Sequence, residues 1–292
     1  RIANCLICKN KKLKKYLSLG KQPLANNLSI KTTNKKYPLE IFYCKKCYHS
    51  QLGYEVNKKK LFSKYLYLSS QSKTLKNHFD KAAENYIKKF KLNKESKIFD
   101  IGSNDGIALN YFKKKNFLNY IGIEPAKNVS KIANKNGIKT INSFLNKKLA
   151  KKYSATADLL LASNVFAHNK NISQLADHMI KVINEDGIIV IEVQYLISML
   201  KYNLFDNIYH EHIHFWSVHS LNNLFTNKGC SIIDVELVDT HGGSIRVYVK
   251  KKKNIKSRNL IRLLDKEKRF GIFKVITYKT FKNNLNKKKR NL

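Results

Sequence analysis

Four of the five cysteines stand in two identical pairs, Cys5-Leu-Ile-Cys8 and Cys44-Lys-Lys-Cys47. A two-residue gap lets a tight turn aim both sulfurs at one point. Two such pairs a few dozen residues apart can converge four thiolates on a zinc ion. Four thiolates close the coordination sphere, so the chemistry is structural rather than catalytic. Disulfides are the competing reading, disfavoured in a cytosolic chain. His49 is a weaker substitute ligand, and Cys230 reads as a small buried hydrophobe.

The second constellation is acidic and glycine-rich. Asp100, Gly102 and Gly106 make D-x-G-x-x-x-G where the apolar run Lys97-Ile98-Phe99-Asp100 gives way to a helical stretch, Ile107 to Lys115. A turn of this kind brings backbone amides and a helix amino end to a ligand. It is not the G-x-G-x-x-G of dinucleotide binders, which needs a third glycine for the pyrophosphate. Glu124, at the end of the next strand, is a carboxylate that can accept from two hydroxyls at once. Asn104 and Asp105 either touch a ligand or cap the helix.

The third constellation is Tyr209-His210-Glu211-His212, the start of a stretch that also holds His214 and His219. A metal cluster is one reading, but no spacing there reproduces H-E-x-x-H. Any single histidine is also readable as a satisfied core residue, and Phe215 and Trp216 read as packing. His241-Gly242-Gly243 is either a flexible turn or a place where a phosphate approaches the backbone and pairs with Arg246.

These groups need a scaffold. Thr74 to Phe90 has apolar residues at helical spacing. Beyond it strands and helices alternate: Lys97 to Asp100, Tyr120 to Glu124, Ile138 to Asn142, Asp158 to Ser163 and Gly187 to Val193 as strands, with helices Val129 to Asn136, Asn146 to Tyr153 and Ser173 to Ile183. Such alternation calls for a doubly wound parallel α/β sheet. A helix at Ser217 to Lys228 follows, then strands Cys230 to Leu237 and Ser244 to Val249, which pair as a hairpin at the sheet edge. A helix holding Leu260, Ile261, Leu263 and Leu264 comes after a lysine-rich linker. The expected division is a zinc-binding domain at 1–70, a ligand-binding α/β domain at 71–250, and a linker with a carboxyl-terminal remnant at 251–292.

Composition bounds the partners. The 292 residues carry 57 basic and 20 acidic side chains, a net charge of +37. Of the basic residues 51 are lysine and six arginine, spread along the chain. Base and phosphate recognition leans on the arginine fork, so the charge reads as solvated exterior and no nucleic-acid partner is expected. No run of eighteen apolar residues and no secretory segment appear, so the expected address is cytoplasmic, with no membrane insertion.

The D-x-G-x-x-x-G turn resembles the first motif of class I S-adenosylmethionine methyltransferases. With Tyr65-Leu66-Tyr67-Leu68-Ser69-Ser70, Asn164-Val165-Phe166-Ala167-His168, Tyr209-His210-Glu211-His212 and His241-Gly242-Gly243-Ser244-Ile245-Arg246, the chain is similar to the C-methyltransferases of nucleotide-linked 4-keto-deoxysugars. The resemblance implies a Rossmann-like class I methyltransferase fold with a mixed seven-stranded sheet and a small amino-terminal zinc-binding domain. It implies S-adenosylmethionine held by Asp100, Gly102, Asn104, Asp105, Gly106 and Glu124, the last on the ribose hydroxyls, with Asn142 and Ser143 near adenine. Structural zinc would sit on Cys5, Cys8, Cys44 and Cys47. Methylating a carbon beside a ketone needs a base that is neutral near physiological pH, which suits histidine. The resemblance makes His212 that base, with Glu211 orienting it and Tyr209 donating to the enolate oxygen. Asn164 and His168 would hold substrate and cofactor, and Tyr67, or Tyr65 in the other register, would close the pocket. The family tolerates monomers.

Members of that family continue into a sizeable third domain, and the 43 residues after Val249 are too few to build it. The expectation is a shortened chain, and a non-catalytic zinc-stabilised binding module is the rival function. A nucleic-acid methyltransferase is disfavoured because Ser163-Asn164-Val165-Phe166 stands where such enzymes carry Asn/Asp-Pro-Pro-aromatic.

Overall fold

A computed structural model of the chain describes residues 1–25, 35–57, 68–251 and 257–290. In chain order the strands are β1 (Leu13–Gln22), β2 (Tyr37–Cys44), β3 (Ser50–Leu52), β4 (Lys97–Ile101), β5 (Asn119–Ile123), β6 (Thr140–Ile141), β7 (Ala157–Ser163), β8 (Ile183–Gln194), β9 (His214–Phe215), β10 (Cys230–Val238) and β11 (Ser244–Lys251). Among the described residues they form a four-stranded sheet, β1-β2-β3-β9, and a seven-stranded sheet, β10-β11-β8-β7-β4-β5-β6. The chain divides into two compact units. One is Arg1–Asn57, Phe166–Ser173 and Glu192–Leu292; the other is Lys58–Val165 and Gln174–Ile191. The division into segments 1–70, 71–250 and 251–292 stands beside this partition as a proposal for how the chain is assembled in sequence.

In the second unit the apolar runs behave as expected of buried parallel strands. β4 pairs in parallel with both β5 and β7, and β5 with β6. The helix Lys73–Phe90 begins at Ser72, whose hydroxyl accepts from Leu75 N, and ends on Lys91 in the left-handed region. β8 starts at Ile183, four residues before the expected Gly187. Asn-Glu-Asp-Gly reads as a turn, but Asn184 donates to Asp158 Oδ1 at 2.7 Å and the backbone stays extended there.

In the first unit the four-stranded sheet is antiparallel, and it was not foreseen. Tyr16, Ile41, Tyr43, Leu52 and Phe215 from its strands pack with Leu196, Met199, Tyr278, Phe281 and Leu285 in one core. Tyr278 and Phe281 belong to a final helix, Val275–Arg290, also unforeseen. Tyr278 stacks on Tyr43 with ring centroids 4.7 Å apart. The hairpin expected at the sheet edge is present, β10 against β11, with β10 outermost.

The helix Arg258–Phe270 is tied down by one carboxylate. Glu267 is fully buried and accepts from Val218 N at 2.6 Å and His219 N at 2.9 Å, the first amides of the helix Val218–Thr226. Burial raises its pKa to about 7 against the pull of those two amides. Between the ordinary glutamate value and that one, the folded chain holds a proton the unfolded chain has lost. Stability from this group is therefore present at acid pH and lost as pH rises through about 7, by up to about 3 kcal/mol. Urea midpoints of the natural chain and Glu267→Gln at pH 5 and pH 8 check this. The difference between the two proteins should move in the variant's favour as pH rises, and a constant difference would refute it.

Candidate active site

In the second unit the expected acidic turn is assembled as one structure. Gly106 is the amino cap of the helix Ile107–Lys114 and lies at φ +84°, where a β-carbon would also meet Ile138 at 2.9 Å. Gly102 lies at φ +67°, and a β-carbon there would strike a Val165 methyl at 2.6 Å. Both positions demand glycine. Glu124 lies across the turn, with Oε2 accepting from Asn104 N at 3.0 Å and Oε1 from Ala126 N at 2.8 Å. Each oxygen has a second lone pair. Asp100 and Glu124 are both buried, and burial raises both pKa values, Asp100 further because Glu124 is near.

Asn104 and Asp105 do not cap the helix. Asn104 Oδ1 accepts from Ser69 N at 3.0 Å and Asp105 N at 2.9 Å, and Asp105 Oδ2 accepts from Ser70 N at 3.1 Å. They hold the end of the Tyr65 to Ser70 string against the turn. Asp105 Oδ1 and Ser103 Oγ are buried there without a hydrogen-bond partner. Asn142 donates to the carbonyls of Glu124 and Pro125, both at 2.9 Å. Asn164, just past β7, adopts φ +57°. Tyr65 and Tyr67 lie outside the described residues.

In the first unit the four knuckle cysteines come together, with Sγ atoms all within 4.8 Å of one another. Cys5 and Cys47 are 3.5 Å apart, as are Cys8 and Cys44. Four sulfurs at Zn–S ≈ 2.3 Å stand roughly 3.8 Å apart in a tetrahedron, so the set fits a zinc ion. The two knuckles are the same turn built twice. Lys9 N donates to Cys5 O and Tyr48 N to Cys44 O, and Lys9 and Tyr48 both take positive φ. His49, fully buried, is not among the clustered ligands.

The same unit gathers His168, Tyr209, Glu211 and His212. His212 Nδ1 is 2.8 Å from Asn207 O, and Nε2 is 2.8 Å from the Tyr209 hydroxyl. A carbonyl only accepts, so Nδ1 carries the proton and Nε2 presents its lone pair to Tyr209 O–H. Burial, followed by the nearby His168, lowers the His212 pKa to about 3, while the Asn207 contact works the other way. The ring is therefore neutral at physiological pH. His168 donates from Nδ1 to Glu211 O at 2.9 Å, and its ring centroid lies 5.1 Å from that of His212. Sequence reasoning missed Asn207, because a main-chain acceptor has no residue-type signature.

Of the two readings of His241-Gly242-Gly243 with Arg246, the phosphate one is disfavoured. Arg246 is committed to carboxylates rather than open to a phosphate: its Nη2 and Nε lie 2.8 and 3.0 Å from Glu192 Oε2, and its Nη1 lies 3.3 Å from Glu236 Oε2. A buried guanidinium in a strand needs paired charge at hand, and β8 and β10 supply it.

Three family models match the chain. The family model described as a methyltransferase domain matches residues 74–235, one for a zinc binding domain residues 5–62, and one for a C-methyltransferase C-terminal domain residues 239–292. The C-methyltransferase NovU of Streptomyces niveus is 29% identical over 254 residues, covering 85% of this chain. The chain spans 60% of the length of NovU. Among solved structures, the complex of the Haloferax volcanii Trm112 methyltransferase activator with a methyltransferase matches with a TM-score of 0.53 and 9% identity, over 65% of this chain and 96% of the solved one. Magnesium protoporphyrin IX methyltransferase from Synechocystis PCC 6803 with bound SAH matches with a TM-score of 0.49 and 10% identity, over 61% and 83%. The fold is the Rossmann-like class I methyltransferase fold, its mixed sheet of seven strands as expected, and the amino-terminal cysteine cluster fits a small zinc-binding domain. Among the described residues no helix is long and apolar enough to cross a membrane.

Proposed function

Because the chain belongs to the methyltransferase domain family, we propose that it is an S-adenosylmethionine-dependent C-methyltransferase whose substrate is a nucleotide-linked 4-keto-deoxysugar, methylated on the carbon beside the ketone. The similarity to C-methyltransferase NovU supports carbon as the acceptor. The observation that carries the reading is the buried, neutral His212 with its Nε2 lone pair turned to a hydroxyl.

When bound, S-adenosylmethionine supplies an electrophilic methyl group on a positive sulfur. The acidic turn suits it. Glu124 keeps one lone pair on each oxygen for the two ribose hydroxyls, and the buried, unpartnered Asp105 Oδ1 and Ser103 Oγ await polar groups of a ligand. Asp100, Gly102, Asn104 and Gly106 shape the turn that presents them.

His212 Nε2 is the proton acceptor. The ketone substrate loses its α-proton to that nitrogen, and the C–H electron pair moves into the enolate. Tyr209 has two tasks joined by one rotation. Its hydroxyl, now on Nε2, swings to the carbonyl oxygen, which frees the lone pair and donates to the charge that develops on oxygen. That leaves the α-carbon as the nucleophile for the methyl group that bound S-adenosylmethionine would supply, with the S–CH3 bond pair remaining on sulfur and the carbonyl reforming as the new C–C bond closes. Glu211, buried beside the pair, is assigned to orienting it, and its carbonyl holds His168 in place. Asn164 and His168 are assigned to holding substrate and cofactor, and Tyr67 to closing the pocket.

Incubating zinc-loaded chain with methyl-labelled S-adenosylmethionine and a 4-keto-deoxysugar nucleotide tests the proposal. Label is expected on sugar carbon. Binding of cofactor and sugar nucleotide without label transfer would refute catalysis by this chain and favour a binding module.

A further inference from the structure

We propose that the outward faces of the last two helices, Arg258–Phe270 and Val275–Arg290, dock the chain on an anionic bilayer surface, with arginines on lipid phosphates and isoleucines in the headgroup boundary. Such docking stands apart from methyl transfer and does not depend on it.

Residues 258–290 carry twelve basic and two acidic side chains, and four of the six arginines of the chain fall there. The fold sorts them by face. The first helix is held inward by Leu260 and Glu267, both 0% exposed, and the second by Tyr278, Phe281 and Leu285. The link between them is pinned by Phe273, whose ring meets those of Tyr48 and His219 at 4.9 and 4.8 Å. At about 100° per residue, Arg258, Arg262 and Arg269 lie within about 40° of one another and opposite Leu260 and Glu267. They make an exposed stripe about 17 Å long. Lys266 and Lys268 flank it, and Asp265 is the one acid on that face. Among the described residues no carboxylate pairs with the three arginines. The final helix repeats the pattern, with Lys279, Lys287 and Arg290 opposite its buried side.

An arginine fork takes a phosphate by two hydrogen bonds in one plane, which lysine cannot do. A three-arginine stripe in a chain of 51 lysines therefore points to phosphate rather than to charge alone. The apolar neighbours choose among phosphates. Ile261, 49% exposed, stands one turn from Arg258, and Ile276, 62% exposed, begins the outward side of the final helix. Such side chains gain nothing from a solvated phosphate chain but sink into the boundary between headgroups and acyl tails. No aromatic side chain is among the exposed residues of 258–290, so the bases of a single strand find no stacking platform. A second copy would bring like charge to like. Docking of this kind lies on a membrane and spans nothing.

Cosedimentation of the full chain with vesicles tests this, using phosphatidylcholine alone and with about 30% phosphatidylglycerol. Binding should require phosphatidylglycerol and weaken steeply between about 0.1 M and about 1 M salt, as the Debye length falls from about 10 Å to about 3 Å. Arg258→Gln/Arg262→Gln/Arg269→Gln should bind about 100-fold more weakly. Lys73→Gln/Lys76→Gln/Lys81→Gln removes the same charge from exposed sites on another helix and should stay within about threefold of the natural chain. Ile261→Ser/Ile276→Ser should lose about tenfold. All three variants should keep the natural thermal midpoint, because every replaced side chain is exposed. Binding to both vesicles equally, or to neither, would overturn the proposal. So would equal losses in the lysine and arginine variants, or natural affinity in the isoleucine variant. Arginine-dependent capture of single-stranded RNA by a chain that ignores vesicles would make this a nucleic-acid face, and an arginine-dependent dimer would make it an interface between copies; either result overturns it too.

Discussion

His212→Ala lowers the rate of methyl transfer by about 10²–10⁴-fold, the range a positioned proton acceptor contributes, and leaves the affinity for S-adenosylhomocysteine unchanged. The size follows from what is lost. The variant has no lone pair at the Nε2 position, and the Tyr209 hydroxyl that now rests on it at 2.8 Å is left without that acceptor. Cofactor affinity is spared because the residues assigned to the cofactor belong to the Asp100 to Glu124 turn in the other compact unit. The pH profile of the natural chain carries independent information. Burial first, with His168 adding to it, brings the His212 pKa down to about 3. The base form is therefore complete above that pH, and kcat/KM should show no acid limb from this group between pH 5 and 8. An ordinary exposed histidine would impose one near pH 6.5. Single-turnover label transfer and calorimetry on the two proteins check the first claim. Equal rates would remove His212 from the mechanism, and an acid limb near pH 6.5 that vanishes in the variant would show that the ring is not held as described.

Much of the second unit is legible in the chain because its strands are buried on both faces. Ile98-Phe99 and Leu159-Leu160-Leu161-Ala162 are short apolar runs with clear ends, and the helices between them keep an amphipathic spacing. The acidic turn is legible for the same reason, since Gly102 and Gly106 are demanded by backbone conformation and close approach, both local. The first unit is written differently. β1 is mostly exposed, with register shifts between Lys15 and Leu17 and between Ser18 and Lys21, so no alternation marks it as a strand. β9 is two residues long and exists because Ser50–Leu52 lies beside it. The final helix buries only Tyr278, Phe281 and Leu285 in a lysine-rich surround, a stripe whose meaning depends on the sheet it covers. At the site, side chains such as His212 and the cysteines announce themselves by type. Asn207 acts through its main-chain carbonyl, and no residue identity encodes that. Arg246 shows the opposite failure: its type suggested a phosphate, but Glu192 and Glu236, 54 and 10 residues away in sequence, answer its charge.

Removing the metal should separate two functions that one chain carries. Replacing Cys44 by Ser takes one of four ligands from a closed site, and structural zinc contributes its binding free energy to folding. The thermal midpoint of the unit that holds the knuckles should fall by at least about 10 °C, since losing several kcal/mol costs a domain of this size about 2–4 °C for each. The consequence reaches the Tyr209–His212 pair because the knuckles frame its support. Cys44 ends β2, β2 pairs with β3, and β3 pairs with β9, which begins two residues after His212. Leu6 N, inside the first knuckle, donates to Gln51 Oε1 at 2.8 Å, and Gln51 lies opposite His214 in that pairing. The Asp100 to Glu124 turn belongs to the other compact unit and takes no ligand from the cysteines. Cys44→Ser, or the natural chain after chelation, should therefore keep binding S-adenosylhomocysteine at temperatures where methyl transfer has already stopped. Metal analysis should give one zinc per natural chain and a deficit in the variant, with calorimetry and label transfer measured on the same samples. A Cys44→Ser protein that transfers methyl groups at the natural rate with no bound metal would show that the four sulfurs do not hold the catalytic pair in place.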